Sequence, residues 1–264
     1  KGDLRDISNY RPICLLSVVF KLFTRVILNR IDGTLEERQP SEQAGFLKGS
    51  RTMDHIHTIT RFTEVSREHK RQLCLTFIDL QKAFDSTEKE AVMEALDSEG
   101  VSTQYINILC KLCKNFTTNI SPFYNDINVD VKRGVRQGDT ISPKLFTATL
   151  QNVMRTLEWD SMGVKIDGRQ LHHLCFANDI ALITPNISPV EFTFAVFDKA
   201  CGKIGLRLNL TNTMFMKNGL VSFALFTFIG TNISECSSYI YLGREINMMN
   251  GLAPELSIRK RAAW

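Results

Sequence analysis

Leu73-Cys74-Leu75-Thr76-Phe77-Ile78-Asp79 is a short run, apolar and partly β-branched, that ends on a single carboxylate. Such a run reads as a buried strand delivering Asp79 at its tip. Its counterpart lies about a hundred residues on, where Cys175-Phe176 leads into Ala177-Asn178-Asp179 and then Ile180-Ala181-Leu182-Ile183: strand, tight polar turn, strand. If the two strands are neighbours in one sheet, Asp79, Asn178 and Asp179 meet at one end of it. Oxygen ligands of that kind suit Mg²⁺. Two such ions about 4 Å apart are the usual device for in-line displacement at phosphorus, so the implied reaction class is phosphoryl transfer. Acids at strand ends are also common surface features, and the flanking sequence has to decide between the two.

Outward from the first strand the chain is helical. From Tyr10 to Ile31 the residues Leu15, Leu16, Val19, Leu22, Phe23, Val26, Ile27 and Ile31 recur at the helical period, with Pro12 as the start. A polar loop is expected over Glu36–Glu42, then a helix over Met53–Ser66. Thr87-Glu88-Lys89-Glu90 has the capping-box pattern and opens a helix through Leu96, followed by another from about Ser102 to Asn115. A hairpin is expected around Tyr124-Asn125-Asp126, an amphipathic helix from Ser142-Pro143 to about Leu157, and a second hairpin at the Asp167-Gly168 turn. A helix over Pro189–Ile204 and a strand at Tyr239–Gly243 complete the order, which is α+β without repeats.

Composition excludes little. The net charge of +4 has the right sign for phosphates without demanding a nucleic-acid partner, and no apolar stretch is long enough to predict a membrane span. Seven cysteines at irregular gaps read as buried thiols of an intracellular protein rather than a disulfide framework. Cys110 and Cys113 form a C-x-x-C on a helix face with no second pair, and His55, His57, His172 and His173 have no partners at ligand spacing. Lys1 in place of Met reads as the start of a fragment.

Three segments, taken in order, carry a resemblance: Phe77-Ile-Asp79-Leu-Gln-Lys-Ala-Phe84-Asp85-Ser86, then Gly134-Val-Arg-Gln137-Gly138-Asp-Thr-Ile-Ser142-Pro143, then Phe176-Ala-Asn-Asp179-Ile. They resemble three polymerase motifs of non-LTR (LINE-type) retrotransposon reverse transcriptases. The resemblance extends to Asn9-Tyr-Arg-Pro12, Gln43-Ala-Gly45-Phe46, Gly205-Leu-Arg-Leu-Asn209 and Tyr241-Leu-Gly243, and so covers nearly the whole chain. It implies a right-hand polymerase fold, with fingers over residues 1–70, palm strand and motif over 71–87, fingers and palm helices with a hairpin over 88–133, palm over 134–245, and only the start of a thumb over 246–264. The palm sheet is expected to be antiparallel.

The same resemblance implies two Mg²⁺ ions held by Asp79, the backbone carbonyl of Leu80 and Asp179. It makes Phe84 the aromatic residue beneath the incoming sugar, and Gln137 and Gly138 the loop beside nucleotide and template. Arg11 and Arg136 become candidate phosphate contacts, with a surface arginine as the plain alternative. Partners would be an RNA template, a DNA primer and deoxynucleoside triphosphates, in the nucleus or cytoplasm; the family's endonuclease domain and most of its thumb are expected to be missing. Where the family carries two adjacent aspartates, this chain has Asn178 then Asp179, and the lysines that the family carries near Asn212 and Met214 are absent. Those departures imply a decayed copy with impaired polymerase activity; the alternative is a catalytically inactive domain that still binds RNA or an RNA–DNA hybrid.

Overall fold

All five residues of the first strand, Cys74–Ile78, are buried, as a strand covered on both faces requires. The computed structural model describes residues 10, 13–114, 117–120, 126–157, 159, 163–166, 168–222, 225–249, 251 and 260. In chain order the helices are α1 (Val18–Arg38), α2 (Thr52–Glu68), α3 (Ala83–Ser86), α4 (Lys89–Ser98), α5 (Thr103–Cys113), α6 (Ser142–Arg155) and α7 (Ser188–Lys203). The strands are β1 (Cys74–Ile78), β2 (Thr117–Ile120), β3 (Ile127–Asp130), β4 (Val164–Ile166), β5 (Arg169–Leu171), β6 (His173–Phe176), β7 (Asp179–Thr184), β8 (Met214–Lys217), β9 (Thr227–Phe228), β10 (Thr231–Asn232), β11 (Ser234–Glu235), β12 (Ser238–Tyr241) and β13 (Arg244–Asn247). Two compact units result, one of Lys1–Gln39, Gln81–Val153 and Cys201–Leu206, the other of Pro40–Leu80, Met154–Ala200 and Arg207–Trp264.

The second unit is built on a five-stranded sheet in the order β11-β8-β1-β7-β6. β1 runs antiparallel to both β7 and β8, and β6 is antiparallel to β7. One face, carrying Leu73, Leu75, Phe77, Ala181 and Ile183, belongs to a core with Ile56, Ile59 and Phe62 of α2 and with Tyr241 and Ile246 of the β12–β13 hairpin. Elsewhere in this unit Phe194 of α7 meets Phe226 and Phe228 edge-on at ring-centroid distances of 5.5 and 4.8 Å, and Phe226 also meets Phe215 of β8.

In the first unit a core of Ile27, Leu28, Ile31 and Leu35 from α1 includes Val92 and Leu96 of α4, Leu109 of α5, and Ile141 and Leu145 beside and in α6. Buried Lys144 sets its ammonium 3.2 Å from Asp32 and 3.1 Å from Glu36, tying α6 to α1. The β2–β3 hairpin pairs Thr117–Ile120 with Ile127–Asp130.

Several local expectations shift. Ser17, whose hydroxyl accepts from the Phe20 N–H at 3.2 Å, caps α1, so the helix starts at Val18; Pro12 lies outside the described residues. The helix also continues to Arg38, into the start of the expected polar loop, because Leu35 is buried and the Arg38 guanidinium donates to the Ser98 carbonyl. Val18, Val19, Leu22, Phe23 and Val26, which a single inward stripe would bury, are exposed. No capping box forms at Thr87: its hydroxyl donates back to the Ala83 carbonyl of α3, and Glu88 becomes the N-cap of α4. The expected hairpin tip at Tyr124-Asn125 and the thumb start from Ser257 fall outside the described residues, Lys260 apart.

Candidate active site

The pairing of β1 with β7 ends at Ile78 opposite Ile180, and the same register carried one step further sets Asp79 opposite Asp179. Strand side chains alternate between faces, so Asp79 emerges on the side of Phe77 and Asp179 on the side of Ala181, both members of the same core. Tyr239 stacks flat on Phe77, with centroids 4.2 Å apart. Its phenol is pushed up to about 12, first by burial and then by the negative charges of Asp79 and Asp179. One tyrosine therefore senses both carboxylates.

Asp79 is held from several directions. Its main-chain N–H donates to the Thr213 hydroxyl at 3.4 Å, and its carbonyl accepts from the Asn209 N–H at 2.8 Å. The side-chain amides of Asn209 and Asn212 both donate to the same carboxylate oxygen, Oδ2, each at 2.8 Å. A bridge between Leu80 and Leu208 continues this attachment. The segment Gly205-Leu-Arg-Leu-Asn209 thus ends on the carboxylate it serves, a role that its sequence does not disclose.

The β6–β7 turn is short because Phe176 pairs with Asp179, leaving Ala177 and Asn178 between them. Ala177 takes a positive φ of 55°, a conformation costly to a residue with a Cβ. Gln43 holds it there: fully buried, its Oε1 accepts from the N–H groups of both Ala177 and Gly45 at 3.0 Å. On either side of Gln43 the Glu42 carbonyl accepts from the Cys175 N–H and the Ala44 N–H donates to the Cys175 carbonyl. Gly45 has to be glycine, since a Cβ there would stand 2.2 Å from the Ala177 nitrogen. Gln43-Ala-Gly45 is therefore a clamp on the turn that presents half-buried Asn178 and exposed Asp179.

The remaining candidates belong to the first unit. Phe84 is half-buried and stacks on Phe146 at 4.5 Å, combining core packing with an accessible edge. Gln137 donates to the Asp85 carboxylate at 2.9 Å. Gly138 has a φ of 101° and passes so close to the Cys14 carbonyl that a Cβ would lie 2.9 Å from it. The Arg136 guanidinium donates to the Leu112 carbonyl at 2.6 Å and lies 4.7 Å over the Phe20 ring, so its geometry ties α5 to α1. Lys82, Asp85, Lys89, Arg136, Gln137 and Asp139 are among the polar residues that line a cavity of about 880 Å³, with apolar side chains such as Phe20, Leu109 and Leu145 on its other walls. Arg11 lies outside the described residues.

As donors for a divalent ion, the second unit offers the carboxylates of Asp79 and Asp179, the amide oxygen of Asn178 and the Leu80 carbonyl. Among the described residues no group of three or more His, Cys, Asp or Glu is placed to hold a metal. Mg²⁺ is commonly bound through one or two carboxylates together with waters and substrate phosphates. The donor set fits that mode and falls one carboxylate short of a three-acid cluster. Cys110 and Cys113 are free thiols on α5, and His173 is buried against the Trp159 ring at 4.3 Å, in keeping with structural roles.

A buried sheet, antiparallel from β8 to β6 and departing from the expected pattern only where β11 pairs in parallel with β8, carries acids at adjacent strand ends and defines the class; comparison with known proteins supplies the family. The reverse transcriptase (RNA-dependent DNA polymerase) family matches residues 1–246, and the chain belongs to that family. The Pol polyprotein of the type-1 retrotransposable element R2 from Popillia japonica is 28% identical over 211 residues, covering 79% of this chain and 29% of that protein. The RNA-directed DNA polymerase from mobile element jockey of Drosophila funebris is 26% identical over 254 residues, covering 90% and 27%. Among solved structures, apo telomerase from Candida tropicalis superposes with a TM-score of 0.60 at 13% identity over 87% of this chain and 40% of that one. That likeness gives the fold, a right-hand polymerase. The chain is a reverse transcriptase domain of the non-LTR retrotransposon type, and it spans under a third of the length of these transposon relatives.

Proposed function

We propose that the chain is the nucleotidyl-transfer core of an RNA-directed DNA polymerase whose chemistry is impaired at Asn178. The observation that carries the reading is the β1–β7 register, which ends at Ile78 opposite Ile180 and so brings Asp79 and Asp179 to the same end of a buried sheet. Fingers over 1–70 and 88–133, palm over 71–87 and 134–245 and a thumb beginning at 246 are the division we assign. Mg²⁺ held at Asp79 and Asp179 would supply charge neutralisation at the transferred phosphate and a more acidic primer 3′-hydroxyl. Asp79 is fixed in position by Asn209, Asn212 and Thr213; Asp179 stands at the exposed start of β7. Phe84 would bar a 2′-hydroxyl, and Gln137 and Gly138 would lie against nucleotide and template.

Asn178 offers a neutral oxygen where the family resemblance places a carboxylate. The lost negative charge weakens any ion at the site, and a rate lower by several orders of magnitude follows for a step that depends on that ion. A second reading, an RNA- or hybrid-binding domain without chemistry, is favoured by the two amides that already occupy one oxygen of Asp79.

Both readings require nucleic-acid affinity. Fluorescence anisotropy with an RNA-template–DNA-primer hybrid between about 50 and 200 mM salt should show binding that weakens steadily on a log–log plot, because phosphate contacts release counterions. Absence of binding at the low-salt end would remove both.

A further inference from the structure

The geometry points to Asn212 as a positioning residue that, together with Asn209, withholds one oxygen of Asp79 from metal. Both side-chain amides lie 2.8 Å from the same Oδ2. A carboxylate oxygen has about two lone-pair directions, so two N–H donors fill it and leave Oδ1 for anything else. Rotation of the carboxylate only exchanges which oxygen is withheld. Asp79 can therefore offer metal only its other oxygen, and chelating one ion with both oxygens, or spanning two ions with one oxygen on each, requires an amide to leave.

The two amides are not equivalent. Asn209 is anchored, since its own N–H is bonded to the Asp79 carbonyl at 2.8 Å and its amide hydrogen bond is partly buried. Asn212 is exposed at the surface, and its amide bond to Asp79 is exposed too. It is the releasable half. Asn212 thus sets how many ligand atoms Asp79 presents, and its effect adds to the missing carboxylate at Asn178. This inference deepens the reading of Asp79 as a metal-binding carboxylate and rests on it.

The test is Mn²⁺ binding to the full chain, followed by the electron paramagnetic resonance signal of free Mn²⁺, with no nucleic acid present. Asn212→Ala should tighten Mn²⁺ about tenfold, the release of one hydrogen bond to a charged group, or about 1.4 kcal/mol. Asn212→Gln, which keeps an amide donor, should return the affinity toward that of the unmodified chain, and adding Asp79→Asn should abolish the gain. Affinity in Asn212→Ala that is unchanged or weaker, or a gain that survives Asp79→Asn, would overturn the assignment. In the unmodified protein, Mg²⁺ should shift the Asn212 side-chain NH₂ resonances; stationary resonances at saturating Mg²⁺ would likewise overturn it. The polymerase reading is separable: a flat Mn²⁺ series beside an Asn178→Asp variant that polymerises retracts only the role of Asn212. The expected series beside silent polymerase variants retracts only the chemistry.

Discussion

Asparagine at position 178 differs from aspartate by one heavy atom and one charge, yet the residues around it are arranged to hold its turn in a single conformation. Gln43 accepts from Ala177 and Gly45, and Gly45 approaches the Ala177 nitrogen too closely for any side chain. Gly45→Ala should therefore lower stability by roughly 1–3 kcal/mol, the usual cost of overpacking, read as a fall in the urea midpoint. A midpoint equal to that of the unmodified chain would show that the clamp is loose. His173 gives a second prediction at this scale. Among the described residues neither of its ring nitrogens meets a hydrogen-bond partner, and burial lowers its pKa from 6.5 to about 3. Because the folded pKa lies below the unfolded one, the unfolded state takes up the proton first, and stability falls as the pH drops from about 6.5 toward 3. The slope is about 1.4 kcal/mol per pH unit within that window. His173→Phe should melt with a visibly flatter pH dependence there, and an unchanged profile would refute the assignment.

Element by element, the sequence is most legible where one signal acts alone. β1 can be read almost to the residue because a short apolar, partly β-branched run, Leu73–Ile78, ends abruptly on a carboxylate, and the β6–β7 turn because polar residues interrupt two apolar runs. α1 is less legible since it carries two apolar faces: Ile27, Leu28, Ile31 and Leu35 point into the core while Val18, Val19, Leu22 and Val26 do not. Periodicity counts both alike. Its C-terminal extension rests on buried Leu35 and on partners far along the chain, the Ser98 carbonyl for Arg38 and Lys144 for Asp32 and Glu36, and pairings of that range leave no local trace. Lys144→Met should cost roughly 3–5 kcal/mol by stranding two carboxylates, one of them buried, and chemical denaturation of the purified variant measures it. A cost below about 1 kcal/mol would mean that the pair is solvated. Asn209 and Asn212 escape a reading of the sequence for a similar reason, since an amide that bonds a carboxylate across the sheet looks in sequence like any turn residue.

For the whole molecule, the order of the motifs along the chain is enough to make the family legible, and residues 1–246 match it. The physics of the site is only half visible in the same residues. Asp79 and Asp179 can be named from strand ends, but their shared field on Tyr239 and the capped oxygen of Asp79 depend on which strands lie side by side. We propose that an otherwise sound polymerase frame is limited chiefly by the carboxylate missing at position 178. Incorporation of one deoxynucleotide onto a primer annealed to RNA, with Mg²⁺, measures this most directly when the chain and its Asn178→Asp variant, each carrying a grafted thumb to retain duplex, are compared. The aspartate variant should incorporate at a rate larger by at least about two orders of magnitude. Equal rates from the two proteins would contradict it.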